Sequence, residues 1–189
     1  MSIISARTIV PLLCSAVVAL CGCSSSGVTP HGDDANARAL REVLRTEFPT
    51  TSGEQSKLSD FRGKIVLLHF FASWCVECEA EAPALKNLGR SFEGADFAIV
   101  GVAIDDDPFD TKRFVDRHQI SYPVLMDVSG DLKGFFSVRG LPVTLVLDRS
   151  GNPITFQDPQ TGAVTAKLEG SRRWDTEGPV QMIAGLVEN

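Results

Sequence analysis

The sequence lacks a hydrophobic run long enough to cross a bilayer: its N-terminal apolar stretch, Ile9 to Leu20, is about 12 residues where a spanning helix needs roughly 20. It also lacks any cluster of Lys or Arg, and an acidic chain of net charge -6 without one has no electrostatic footprint for nucleic acid. There is no internal repeat, and no low-complexity segment beyond residues 24–37. Cysteine is scarce, five in 189 residues, with three of them at positions 14, 21 and 23. What is present is 43% hydrophobic composition, enough for one well-buried domain in a chain too short for two.

The N-terminus reads MSIISARTIVPLLCSAVVALCGCSSSG, with one positive residue, Arg7, then the apolar run, then small residues. This is the pattern of an export signal. Leu20-Cys21-Gly22-Cys23 resembles the bacterial lipoprotein box, although Cys21 stands where Ala or Ser is usual; an ordinary secretory signal cut nearby is the alternative. The lipoprotein resemblance implies that Cys23 becomes the new N-terminus and carries acyl chains that anchor by apolar burial. It also makes Ser24 a pointer to outer-membrane sorting in a two-membrane host. Residues 24–37, rich in Ser, Gly, Pro and Asp, have the composition of a flexible tether. The expected organisation is a signal peptide at 1–22, a lipidated Cys23 with tether at 23–37, and a domain at 38–189.

Export settles the cysteine arithmetic. Cys14 and Cys21 leave with the signal and Cys23 is capped, so the domain keeps Cys75 and Cys78 alone. In an oxidising compartment such a pair closes into a disulfide. A bridge over two residues closes too small a loop to stabilise the fold much, which argues against a purely structural role.

From residue 54 strand-like and helix-like segments alternate. KIVLLHFFA (64–72) and ADFAIVGVAID (95–105) read as strands buried on both faces. VECEAEAPALKNLGRSF has helical spacing in Ala82, Leu85 and Leu88, with Gly89 as a stop; Asp107 and Pro108 open another helix with Phe109, Phe114, Val115 and Ile120 as its apolar positions. A short strand at YPVLMD and a helix around GDLKGFFSV follow, and then at LPVTLVLDRSGNPI a strand, a Gly-Asn turn and the start of a return strand. VTAKLEG is strand-like and TEGPVQMIAGLVEN helical, while Leu40, Val43, Leu44 and Phe48 give an amphipathic helix ahead of the domain. The order implies an α/β fold, a central mixed sheet with helices on both faces.

Trp74-Cys75-x-x-Cys78-x-x-Glu81-x-Pro83, and later VRGLPVTLVLDRSG, resemble the TlpA/ResA-like family of thioredoxin-fold, membrane-tethered thiol-disulfide oxidoreductases over residues 48–189. The chemistry also follows from position. A cysteine at a helix start faces unsatisfied backbone N–H groups and the positive end of the helix dipole, which stabilise the thiolate. Cys75 is therefore the attacking thiol and Cys78, one turn on, the resolving one.

The resemblance aligns Pro142 with a cis-proline loop that offers backbone to the substrate, the alternative being a plain strand-edge proline. It aligns Glu81 with an acid able to take a proton from Cys78, the alternative being a solvated glutamate on an exposed face. Two residues depart from the family. Glu77 stands where many relatives have Pro, and a negative charge there disfavours the thiolate and gives a more reducing couple. His69 stands where relatives often place Asp, Glu or Asn; it could relay the Cys78 proton, or be a core histidine satisfied by backbone.

The resemblance implies protein disulfides or thiols as substrates, a membrane thiol protein as electron donor, no cofactor, and for its reductases a role in cytochrome c maturation. Two other readings stand beside it. One is copper handling, with Cys75, Cys78 and His69 as ligands in the manner of the Sco-like proteins; the other is a non-catalytic binding module presenting the Pro142 surface.

Overall fold

The structure, a computed structural model, describes residues 32–188. Cys23, Ser24 and the signal region lie outside them. The described chain runs through α1 (Gly32–Val43), β1 (Phe48–Pro49), β2 (Gln55–Ser56), a 3-10 turn (Leu58–Phe61), β3 (Ile65–Phe71), α2 (Val76–Ser91), β4 (Phe97–Ala103), α3 (Pro108–His118) and β5 (Val124–Met126). It continues through α4 (Asp131–Phe135), β6 (Val143–Leu147), β7 (Phe156–Gln157), β8 (Val164–Thr165), β9 (Lys167–Glu169) and α5 (Glu177–Glu188). Five strands form the central sheet in the order β5-β4-β3-β6-β9, parallel from β5 to β3 and antiparallel beyond it.

The expected mixed sheet covered on both faces is what forms. β3 is buried along its whole length, and its side chains alternate between two cores. Val66, Leu68 and Phe70 pack on the side of α1 and α4 with Leu44 and Leu132. Ile65 and Leu67 pack on the other side, against Leu85 and Leu88 of α2 and Ile183 of α5. Each such aliphatic side chain contributes roughly 1.5–3 kcal/mol by leaving water. His69 shares the parity of Ile65 and Leu67, so the pleat turns it toward α2. Its neighbours in register are Gly101 on β4 and Thr144 on β6. The sheet is tight here, since a Cβ on Gly101 would come within 3.0 Å of the Phe71 ring and 3.1 Å of Val124.

Three local expectations are corrected. α1 begins at Gly32, inside the stretch read as tether, where Asp34 complements the helix dipole and Ala35, Ala37 and Ala39 favour helix. Phe48, read as a helical position, lies in β1 paired with Ser56, because Pro49 disfavours the helical conformation of the residue before it. α2 does not stop at Gly89 but runs on to Ser91; the local cost of glycine, roughly 1 kcal/mol, yields to the packing of this helix against β4. The Gly-Asn turn does form, capped by the Asp148 carboxylate, which accepts the N–H groups of Ser150 and Asn152. Its return strand is only a bridge from Leu147 to Pro153.

Candidate active site

β3 ends at Phe71 and α2 begins at Val76, and Cys75 is the N-cap between them. Its sulfur accepts the backbone N–H of Cys78 at 3.1 Å, using one of the amides that a helix start leaves unpaired. Cys75 and Cys78 form a disulfide with their Cα atoms 5.2 Å apart, and both are almost fully buried. Around them the surface is open: Trp74 is 68% and Val76 74% exposed, and Glu77 points into solvent.

The loop carrying the pair is tied from below by Asp105, a residue that the sequence reading did not single out. This buried carboxylate, just past β4, accepts the Ser73 N–H at 2.9 Å, the Ser73 hydroxyl at 2.7 Å and the Thr111 hydroxyl at 2.7 Å. It thus joins the loop to α3. Its signal was an acid just beyond the carboxyl end of a parallel strand, where sites on such sheets gather.

The Leu141–Pro142 peptide bond is cis, at the entry to β6. Leu141, Trp74, Cys75 and Val76 line a cleft of about 560 Å³, with Lys133 and Arg139 also on its wall.

Beneath the disulfide lies a buried polar group. Glu81, one turn after Cys78, is only 2% exposed. Its Oε2 accepts the Arg172 backbone N–H at 2.9 Å and the Trp174 indole N–H at 3.0 Å. Its Oε1 forms no hydrogen bond and lies 3.3 Å from His69 Nε2. The other imidazole nitrogen, Nδ1, is 2.9 Å from Thr144 Oγ1. Burial pushes the Glu81 carboxyl up to about 7 against the opposing pull of those N–H donors and the Arg172 charge. Burial alone drives His69 down to about 3. Burial, and the charge of Glu81, raise the Tyr122 phenol well above its usual range. The Arg172 guanidinium is itself held 3.3 Å from Asp158.

A disulfide at a helix N-terminus, an acid buried one turn behind it and a cis-proline beside it form an arrangement suited to thiol-disulfide exchange. The AhpC/TSA family profile matches residues 40–153. The chain belongs to this family. Within it the resemblance is to the TlpA/ResA type: the thioredoxin-like protein YneN of Bacillus subtilis is 34% identical over 121 residues, 62% of this chain and 68% of that protein. The thiol-disulfide oxidoreductase ResA of Oceanobacillus iheyensis is 31% identical over 140 residues, 74% of this chain and 69% of the relative. Among solved structures, the thiol:disulfide interchange protein DsbE of Chlorobium tepidum superposes with a TM-score of 0.64 at 27% identity, covering 75% of this chain and 92% of that one. The chain is accordingly a TlpA/ResA-like thiol-disulfide oxidoreductase with a thioredoxin-like fold.

Of the residues selected from sequence, this TlpA/ResA-like fold brings Trp74 and Cys75 to one cleft, with Cys78 buried behind Cys75 and Pro142 buried next to the cleft residue Leu141, and it brings His69 and Glu81 together. Glu81 is not the solvated glutamate of the alternative reading, because it shares the inward stripe of Cys78, Ala82, Leu85 and Leu88 on α2. His69 is not satisfied by backbone; its nitrogens turn to Thr144 and Glu81, away from a ligand set with the two sulfurs. Among the described residues no group of three or more His, Cys, Asp or Glu is arranged to hold a metal ion. Phe109, expected in the core, is 76% exposed in the first turn of α3. Sequence reading missed Asp105, Thr144, Arg172 and Trp174; Arg172 and Trp174 approach Glu81 from 91 and 93 residues away.

Proposed function

We propose that the protein is an envelope reductase of protein disulfides, with Cys75 as nucleophile and Cys78 as resolving thiol. The observation that carries this is the Cys75 sulfur at the N-terminus of α2, where the amide of Cys78 already donates to it. In the dithiol form the Cys75 thiolate attacks one sulfur of a partner disulfide and expels the other as a thiolate. Cys78 then loses its proton to Glu81 and attacks Cys75, reforming the internal disulfide and releasing the second partner thiolate. Two electrons pass from the dithiol to the partner.

Exposed Trp74 and the Leu141–Pro142 loop, on either side of the cleft, offer apolar surface and backbone to an extended partner segment. Exposed Glu77 opposes the helix dipole beside the pair and makes the couple more reducing. Cys23 carries the lipid anchor, and residues 24–31 reach from it to α1. A membrane thiol protein returns the electrons, cytochrome c maturation is the fitting context, and Ser24 favours the outer membrane.

Trapping tests the reading. Cys78→Ser should hold partner proteins on Cys75 as mixed disulfides that dithiothreitol releases, and Cys75→Ser should hold none. Equal capture by both variants, or an undiminished cellular role for Cys75→Ser, would overturn it.

A further inference from the structure

The two nitrogens of the buried His69 ring face two different groups, Thr144 Oγ1 at 2.9 Å and Glu81 Oε1 at 3.3 Å. A neutral imidazole carries one N–H, so one nitrogen donates and the other accepts. On Glu81, Oε2 is committed to the N–H groups of Arg172 and Trp174, whereas Oε1 has no hydrogen bond. Any proton that the carboxyl takes up therefore belongs on Oε1, facing His69.

Each state of Glu81 then selects one tautomer. With the carboxylate ionised, the matching tautomer carries its proton on Nε2, 3.3 Å from Oε1, while the Thr144 hydroxyl donates to Nδ1. With Oε1 protonated, its O–H donates to Nε2, and the ring proton sits on Nδ1 and is donated to Thr144. The opposite combinations set two protons or two lone pairs face to face, and each leaves a buried polar group without a partner. A threonine hydroxyl rotates to serve either arrangement.

We propose that His69 is a positioning residue for proton transfer at the disulfide: its Nε2–H tautomer matches the ionised carboxyl of Glu81 and its Nδ1–H tautomer matches the carboxyl that has taken the proton of Cys78, so the buried Oε1 faces a nitrogen of complementary polarity in both states. This rests on the reading of Cys78 as the resolving thiol. In that step the Cys78 S–H bond breaks and its proton goes to Glu81. A bond forms between the Cys78 and Cys75 sulfurs, and the bond from Cys75 to the partner sulfur breaks, the partner leaving with the electron pair. The departing thiolate is protonated, and Glu81 returns to the carboxylate. The groups facing Glu81 are His69 from β3, Cys78 on its own helix, Tyr122 ahead of β5, and Arg172 and Trp174 from the segment after β9. Of these only His69 presents a nitrogen that can switch between donor and acceptor.

The test is ¹⁵N NMR of the imidazoles in wild-type protein from pH 5 to 9, in disulfide and dithiol forms, with His69 assigned by loss of its signals in His69→Asn. The expected result is a ring that stays neutral while its proton moves from Nδ1 at low pH to Nε2 at high pH, with a different midpoint in the two redox forms. Glu81→Gln should abolish the pH dependence. In stopped-flow measurements of the resolving step, Glu81→Gln should slow release about 100-fold and His69→Asn about 10-fold, each flattening the pH profile. A single wild-type tautomer across the whole range, or an imidazolium at neutral pH, would overturn the proposal. Failure of Cys78→Ser to trap partners would instead overturn the reading of Cys78 on which it rests.

Discussion

Glu81 and Trp174, 93 residues apart, are joined by a buried hydrogen bond in which the indole N–H donates to the carboxyl at 3.0 Å. The segment after β9 thus reaches back beneath the disulfide. Trp174→Phe removes the donor while keeping most of the apolar contact. It should cost about 1–3 kcal/mol of stability and move Glu81 ionisation to higher pH. Urea unfolding and a carboxyl ¹³C titration read the two effects, and unchanged ionisation would show that the indole does not tune the acid.

Glu81→Gln separates two opposing pH dependences. Burial raises Glu81 from 4.5 to about 7, so its contribution to folding is complete below 4.5 and lost as pH rises through 7. Burial lowers His69 from 6.5 to about 3, so its contribution is complete above 6.5 and lost as pH falls toward 3. In the wild type the two slopes oppose each other between pH 4.5 and 6.5. The variant keeps only the His69 slope, so its stability relative to wild type should climb from pH 4.5 to 7 by roughly 3 kcal/mol. Urea midpoints of both proteins across that range check it; a constant difference would mean that Glu81 ionises normally.

Asp105→Ala strands the Thr111 hydroxyl and the Ser73 N–H and releases the loop ahead of Cys75. The expected loss is roughly 2–4 kcal/mol of stability, with a fall in kcat/KM for a protein disulfide larger than that for dithiothreitol. Equal falls for both would leave Asp105 a structural role alone.

Trp74→Ala should leave the urea midpoint within about 0.5 kcal/mol of wild type, as exposed substitutions do. If this ring is the partner's main apolar contact, kcat/KM for a protein disulfide should drop at least tenfold, about 1.4 kcal/mol or more. An unchanged rate would move the docking surface elsewhere.

The site was legible where its signals are local. Cys75 and Cys78 declare themselves by spacing at a strand-to-helix junction, and Pro142 by its place before β6. Glu81 was half legible: its chemistry was assigned from the motif, but its burial needed the i, i+3, i+4, i+7 stripe that it shares with Cys78, Ala82, Leu85 and Leu88. Arg172, Trp174 and Thr144 were not legible, because they meet the site through sheet register and a distant return of the chain. Phe109 shows the converse error, since a hydrophobic residue in the first turn of a helix need not face the core.

The central claim is that this pair donates electrons, and its equilibrium reduction potential tests it most directly. A soluble form beginning at Ser24 would be titrated against glutathione or dithiothreitol, with the Cys75–Cys78 disulfide quantified at each poise. The account predicts a value near or below about -230 mV, among couples that must be fed electrons to act as reductases. A value above roughly -180 mV would place the pair with disulfide-introducing or isomerising couples and contradict it.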